Sequence, residues 1–306
     1  MVWVALAVVV SVGVGLLSER SRPEAAADLA RRALSFLLYF FFPPIVFVNL
    51  AETDFGFGMG AGLLAGLVAI ALVAALAWFA SARLLRLSRP ETGSVIACAV
   101  IPNTSYLGYP VVLALMGGEE LSRAVAYDVV VGGVGLTLLG FGAGAAFGDR
   151  AGSGFGERLR SFFLRNPLLI AAILGLLTPG SWIPDVLVEI SWVLVTLSLP
   201  IGFFAVGAVI AGEQRTGSIG GLPGFTPAVG LVTAIRLVLA PGILLLLTLP
   251  LTGVPPSFYV LAAMPAGLSS MVIAHAYGLD LRTTAEAVAW TTAIVLVAGL
   301  AFTAFA

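Results

Sequence analysis

The sequence predicts an all-α membrane protein with ten transmembrane helices. Hydrophobic residues make up 60% of the 306 residues and charged residues only 10%, whereas an ordinary soluble domain carries about 25% charged residues. Apolar runs of roughly 17 to 25 residues, long enough to cross a hydrocarbon layer about 30 Å thick, recur along the whole chain. Proline, glycine and charged residues separate these runs. The predicted helices cover residues 2–17, 30–51, 57–82, 93–116, 123–147, 167–178, 184–211, 226–250, 256–278 and 284–305.

The first apolar run, residues 2–17, has no positively charged segment before it, and its flanking arginines follow it. We therefore expect a retained helix and not a cleaved signal peptide. The net charge of −1 offers no basic surface for nucleic acid. The single cysteine, Cys98, excludes an intrachain disulfide and a cysteine-rich metal site, and we expect it to be a small buried side chain. No cofactor and no metal site are expected.

The placement of arginine predicts the orientation in the membrane. All fifteen basic residues are arginines, and they concentrate in the loops that follow helices 1, 3, 5, 7 and 9. The loops of opposite parity hold mainly carboxylates, with Arg123 as their only arginine. Arginine-rich loops stay on the cytoplasmic side. We therefore predict a multi-pass protein of the cytoplasmic membrane with both termini outside.

The connection at residues 148–166 is the longest and divides the chain. It separates a first five-helix unit, residues 1–147, from a second, residues 167–306. Phe155, Phe162 and Phe163 alternate there with charged residues, as in a short helix that lies on the lipid headgroups. A flexible loop with aromatic residues placed by chance is an equally good interpretation.

Helix breaks recur at matching positions in the two units. Helix 2 carries Pro43 and Pro44, and helix 7 carries Pro200; helix 4 is interrupted between Pro102 and Pro110, and helix 9 from Pro265. Each unit has an odd number of helices, so the second enters the membrane the opposite way up. This pattern is typical of inverted repeats in secondary transporters.

The two breaks predict a binding site. Proline removes a backbone donor, and unpaired backbone at membrane depth is tolerated only inside protein or beside a water-filled cavity. Half-helix N-termini would present a partial positive charge to an anionic group. Kinks that serve packing alone are the alternative. The substrate-binding candidates are Asn103, Thr104, Ser105, Tyr106, Ser269 and Ser270, and the residues that would shape the crossover are Pro102, Gly108, Pro110, Pro265 and Gly267.

The stretch from Asn103 to Pro110, continued to Tyr127-Asp128, and the stretch from Ala263 to Asp280 resemble the auxin efflux carrier family. This is the bacterial PIN-like branch of the bile-acid, arsenite and riboflavin transporter superfamily. The resemblance implies a scaffold domain of helices 1, 2, 6 and 7 and a transport domain of helices 3–5 and 8–10, with helices 4 and 9 crossing at the substrate. It also implies that an asparagine in each crossover holds the carboxylate of an organic acid. The first falls on Asn103, and the second falls on Ser269, where serine replaces the usual asparagine.

Few ionisable residues lie deep within the predicted spans, where burial is costly, and three of them are candidates for a function. Asp128 either takes up a proton or a cation near the crossover, or pairs with Arg123 at the interface. His275, the only histidine, could serve proton coupling, although a histidine at the cytoplasmic mouth is the simpler interpretation. For Arg236 we expect a side chain that snorkels towards the headgroups, in preference to one that attracts an anion.

These observations predict a secondary transporter that moves a small organic anion, with a carboxylate as the favoured class, by alternating access. A sodium-coupled symporter of the bile-acid type is the alternative, and a gated channel is less favoured by the matched breaks. An intramembrane hydrolase built on Ser269 and His275 is disfavoured, because residues this far apart on one helix point to different faces. We therefore expect a transporter and not an enzyme. The expected partners are the anion and the lipid bilayer, and a homodimer is one candidate assembly.

Overall fold

The computed structural model describes residues 2–149, 166–215 and 223–305, and these ranges are almost entirely helical. They contain no strand, and their extended pairing is a single antiparallel bridge between Pro102 and Ala266. Most of the connection predicted to lie on the headgroups, residues 150–165, lies outside the described residues. That expectation therefore stays a prediction.

Helical segments occur at all ten predicted positions, and two of them are interrupted. The segments are α1 (Val2–Ser21), α2 (Pro23–Ala51), α3 (Phe57–Leu84), α4a (Arg89–Val100), α4b (Thr104–Met116), α5 (Gly118–Phe147), α6 (Pro167–Leu177), α7 (Asp185–Arg215), α8 (Pro227–Thr248), α9a (Pro256–Ala262), α9b (Ser269–Tyr277) and α10 (Leu281–Phe305). Among the described helices, seven are long and apolar enough to cross a membrane: α1, α2, α3, α5, α7, α8 and α10. The chain is therefore a multi-pass membrane protein.

Helix starts differ from the predicted ones where polar residues extend a helix beyond its apolar run. Helix α2 begins at Pro23, since proline suits a first helical turn. Helix α4a begins at Arg89 because Ser88 and Glu91 form a capping box, in which the Ser88 amide donates to Glu91 Oε2 at 3.0 Å. Helix α5 begins at Gly118, directly after Gly117 with its φ of +84°. Hydropathy alone misses such polar first turns.

Small residues bring α1, α2, α6 and α7 close together. A Cβ atom on Gly15 of α1 would lie 2.8 Å from the backbone nitrogen of Ala208 in α7. One on Gly175 of α6 would lie 2.6 Å from the carbonyl oxygen of Phe47 in α2. Side chains larger than hydrogen would push these helices apart, as at many helix contacts in membranes.

Helix α4a lies at the centre of the helices outside that first group. Every residue from Thr92 to Val100 is buried, including Cys98, which is fully buried as expected. Helices α3, α5, α8, α9b and α10 pack around it. The end of α4a is therefore held deep inside the protein, where the chain breaks before α4b.

Candidate functional site

A cavity of about 1040 Å³ lies where α4 and α9 are interrupted. This is at the upper end of the range typical of small-molecule sites, about 300–1,000 Å³. Residues of α2, α4b, α5, α6 and α9b line it, together with the break residues Pro102, Asn103 and Gly267. Exposed lining residues, among them Tyr39 and Val272, connect it to the surface of the molecule.

The two breaks pair with each other through their backbones. The Asn103 amide donates to the carbonyl oxygen of Pro265 at 2.7 Å, and the Gly267 amide donates to that of Ile101 at 2.7 Å. A Cβ atom on Gly267 would lie 2.8 Å from the carbonyl oxygen of Pro102, so the approach requires glycine. Backbone groups released by one break are thus satisfied by the other, which is what a buried polar backbone needs.

Two helix N-termini meet this cavity. Helix α4b begins at Thr104 and α9b at Ser269, and both residues line the cavity. The first amides of a helix have no partner within the helix, and its N-terminus carries a partial positive charge. The amides of Ser270 and Met271 bond to the Gly267 and Leu268 carbonyl oxygens, so at α9b it is the partial positive charge that favours an anion.

The side chain of Asn103 is buried beside the cavity with an unpaired oxygen. The residue is 3% exposed and lines the cavity, and its Oδ1 has no hydrogen-bond partner among the described residues. Buried polar atoms are nearly always paired, so an exception calls for an explanation. Because an amide can turn over to present either its oxygen or its NH2 group, Asn103 can act as acceptor or donor towards a ligand.

Asp128 lies at the crossover and also lines the cavity. Its Oδ1 accepts a hydrogen bond from Thr104 at 2.5 Å, and its Oδ2 accepts from Ser105 at 2.8 Å and from the hydroxyl of Tyr109 at 2.6 Å. The alternative of an interfacial pair with Arg123 is wrong. That arginine pairs with Glu119 and Glu120 in the first turns of α5.

The expectation that Arg236 snorkels to the headgroups is also wrong. The residue is 3% exposed, and its guanidinium donates to the carbonyl oxygens of Met264 at 3.0 Å, of Ala99 at 2.7 Å and of Ala262. The interrupted helices supply carbonyl acceptors inside the protein, so the charge is satisfied without reaching water.

The remaining predicted residues occupy different places. Ser105 and Tyr106 line the cavity, and the Tyr106 ring packs edge-on against Phe42 with centroids 5.2 Å apart. Ser270 is fully buried, donates to the Gly267 carbonyl at 2.6 Å, and is not among the lining residues. Exposed His275 does not line the cavity either. The two remaining crossover residues, Gly108 and Pro110, are buried in α4b outside the cavity lining.

A buried polar cluster that joins three helices was not predicted from the sequence. The Nδ2 of Asn49 donates to Ser191 Oγ at 3.3 Å, and Ser122 Oγ donates to Asn49 Oδ1 at 3.0 Å. The cluster joins α2, α7 and α5, and Asn49 lies near the C-terminal end of α2, three residues after the cavity-lining Val46. An asparagine in an apolar helix was the available signal, but nothing in the sequence names its partners.

Two comparisons with known proteins show what this chain is similar to. Residues 3–143 match the model of a family described as membrane transport protein, a range that contains Asn103 and Asp128. A protein of Methanocaldococcus jannaschii described as an uncharacterized transporter is 24% identical over 229 residues, which cover 72% of this chain and 70% of that protein. The comparisons therefore indicate a membrane transporter, whose residues 3–143 match the membrane transport protein family.

Proposed function

We propose that this transporter moves a small organic anion, recognised through a carboxylate, across the cytoplasmic membrane. The observation that carries the proposal is the buried amide of Asn103, which has an unpaired oxygen and belongs to a residue that lines a cavity between two helix N-termini. With its NH2 group turned to the cavity, Asn103 donates to a carboxylate beside the partially positive N-terminal ends of α4b and α9b.

The anion would contact both broken helices. On α4b, the contacts are Asn103, Thr104, Ser105 and Tyr106; on α9b, Ser269 contributes a hydroxyl that reaches less far than an amide. Ser270 would not touch the anion but would stabilise the break in helix 9 through its hydrogen bond to the Gly267 carbonyl. A shorter side chain at Ser269 leaves room for a bulkier anion than a pair of asparagines would admit.

Alternating access would follow from two inverted repeats, residues 1–147 and 167–306, with ten membrane crossings. The close packing of α1 on α7 and of α6 on α2 supports a scaffold domain of α1, α2, α6 and α7. Helices α3–α5 and α8–α10 form the moving domain, with the crossover of α4 and α9 at its centre. With both termini outside, the cavity rim beside Asn166 and Tyr277 faces the cytoplasm, so this conformation is open inwards.

Asp128 is our candidate for coupling. Three hydroxyls, those of Thr104, Ser105 and Tyr109, donate to its carboxylate on the cavity wall. An ionised carboxylate on the cavity wall repels an anionic substrate, and a proton on Asp128 removes the repulsion. Anion and proton would then move together. His275, exposed on α9b, is a second proton-accepting candidate away from the cavity.

Reconstituted transport tests the proposal. A thermal-shift screen of organic acids on the purified protein identifies a ligand, and proteoliposomes then report its uptake. Asn103→Ala should lower uptake by about tenfold or more, since one charge-assisted hydrogen bond contributes about 1.5–3 kcal/mol. Ser21→Ala is the control, because that exposed hydroxyl bonds only within its own helix. Unchanged uptake by Asn103→Ala would refute the proposed site.

The other functions have specific tests. Uptake that requires sodium would favour a sodium-coupled symporter, and a unitary conductance would favour a channel. A hydrolase would need Ser269 and His275 together, yet Ser269 lines the cavity and His275 does not. Labelling by a fluorophosphonate that disappears in Ser269→Ala would reopen that possibility.

A further inference from the structure

Arg236 connects the C-terminal ends of both first half-helices. Its guanidinium donates to the carbonyl of Ala99, in the last turn of α4a, and to that of Ala262, the last residue of α9a. A third hydrogen bond reaches the Met264 carbonyl in the break that follows α9a. One side chain on α8 thus binds carbonyls from both interrupted helices, on a site distinct from the hydroxyl cluster around Asp128.

The charge of Arg236 matches the electrostatics of this position. A helix C-terminus carries a partial negative charge equivalent to about half an elementary charge. Two such ends converge on Arg236, so together they offer up to about one negative charge to one positive guanidinium. No carboxylate forms an ion pair with Arg236 in the part of the chain that the structure describes. The backbone carbonyls alone satisfy this buried cation.

Carbonyls at unwound helices and half-helix C-termini are the ligands that carriers with broken helices use for dissociable coupling cations. Here an arginine holds the corresponding acceptors, and an arginine side chain does not lose its charge in proteins. It is also covalently attached, so it neither binds nor dissociates during a transport cycle.

We propose that Arg236 is a built-in cation that takes the place of a coupling metal ion at the crossover. It positions the ends of α4a and α9a so that the second half-helices can face the substrate. This inference rests on the carrier function proposed above and deepens it, because it predicts transport that requires neither sodium nor potassium. Removal of the side chain should leave a vacant site for a small cation.

Thermal unfolding of purified protein in detergent tests this without any organic anion. Wild-type protein should show the same midpoint in sodium, potassium and choline chloride. In choline chloride, Arg236→Ala should unfold at a lower temperature than the wild type. Roughly 10 mM sodium or guanidinium chloride should raise the midpoint of the variant by about 3 °C or more, because a ligand that binds the folded state stabilises it. Binding of radioactive sodium to Arg236→Ala, and not to wild type, is the parallel readout.

Arg89→Ala is the matched control, since exposed Arg89 also donates to a backbone carbonyl, that of Ala146 at 2.8 Å, away from the crossover. Its midpoint should be insensitive to the cation. Destabilisation of Arg236→Ala that is equal in all salts, or specific stabilisation of wild type by sodium, overturns the inference. If Arg236→Ala cannot be purified, Arg236→Lys decides. A folded lysine variant that ignores sodium supports a fixed charge, and failure of both variants overturns it.

The cation measurements on Arg236 variants and the uptake measurements on Asn103→Ala test different sites. Loss of the Asn103 effect on uptake would refute the anion site and leave the cation measurements unchanged. A cation-insensitive Arg236→Ala would refute only the role of Arg236.

Discussion

Ser122 donates its hydroxyl hydrogen to Oδ1 of Asn49 across 3.0 Å, and this bond joins α5 to α2. Asn49 in turn donates to Ser191 of α7, so one amide connects helices of the proposed scaffold and transport domains. All three side chains are buried. If the transport domain moves against the scaffold, these bonds must break in every cycle.

We predict that Asn49→Ala loosens this contact. The buried hydroxyls of Ser122 and Ser191 each lose a hydrogen-bond partner, which lowers the free energy of unfolding by about 1–3 kcal/mol. Hydrogen–deuterium exchange should become faster in residues 118–127, the beginning of α5. Thr196→Ala on α7 is the control, because its exposed hydroxyl bonds only to the Trp192 carbonyl of the same helix. Unchanged exchange in Asn49→Ala would argue against a holding role for the cluster.

Gly267→Ala should disrupt the crossover. The new methyl group would lie 2.8 Å from the Pro102 carbonyl oxygen and 3.1 Å from that of Ile101, and these are backbone atoms that cannot rotate away. We expect the free energy of unfolding to fall by about 1–3 kcal/mol or more and uptake to be abolished. Gly60→Ala, where a Cβ meets nothing within 4 Å, should keep the wild-type midpoint. A stable, active Gly267→Ala would mean that the two breaks are not rigidly paired.

Gly202→Ala should change the cavity through Tyr106. A Cβ at Gly202 would lie 2.5 Å from Cδ1 of the Tyr106 ring, which must then move from its contact with Phe42. We expect a severalfold weaker apparent affinity for the transported anion, with a smaller loss of stability than for Gly267→Ala, because a side chain can yield where backbone cannot. Uptake kinetics give the comparison. Gly242→Ala, in open space on α8, serves as control and should retain wild-type affinity.

Asp128→Asn should separate transport from its coupling. The amide keeps the shape of the carboxylate, and its oxygen can still accept from Thr104 while its NH2 group donates to the Tyr109 oxygen, but it cannot exchange a proton. Uptake driven by a pH gradient should fall to the level without a gradient, whereas exchange of anion for anion should persist. Glu119→Gln, at an exposed carboxylate, should keep the gradient response. A gradient response that survives in Asp128→Asn would exclude this residue from coupling.

Much of the fold followed from local features of the sequence. The breaks at Pro102 and Pro265 were predictable because proline disrupts a helix wherever it stands in an apolar segment. The placement of Asp128 at the crossover was one of two open interpretations, and three hydroxyls of α4b decide between them. The sequence does not indicate which carboxylate these hydroxyls will contact.

Arg236 shows where local reasoning fails. An arginine inside an apolar helix suggests a route to the headgroups, because hydropathy treats its neighbours as hydrocarbon. Its acceptors are the carbonyls of Ala99 and Ala262, residues that are themselves apolar. Every residue carries a carbonyl, so only the tertiary structure reveals which ones are left open. The pairing of Asn49 with Ser122 and Ser191 was hidden for the same reason, since long-range partners leave no local pattern.

The shared hydrogen bonds at the crossover also bear on how the protein is made. When the ribosome has delivered the first half of the chain, the Ile101 carbonyl and the Asn103 amide still lack the partners that Gly267 and Pro265 provide. Those partners are more than 160 positions further along the chain. During synthesis the first half must therefore hold an unfinished backbone at membrane depth, where an unpaired group costs several kcal/mol. Each half completes the backbone pairing of the other, and a gene fragment that encodes only one of them should yield a protein that the cell degrades.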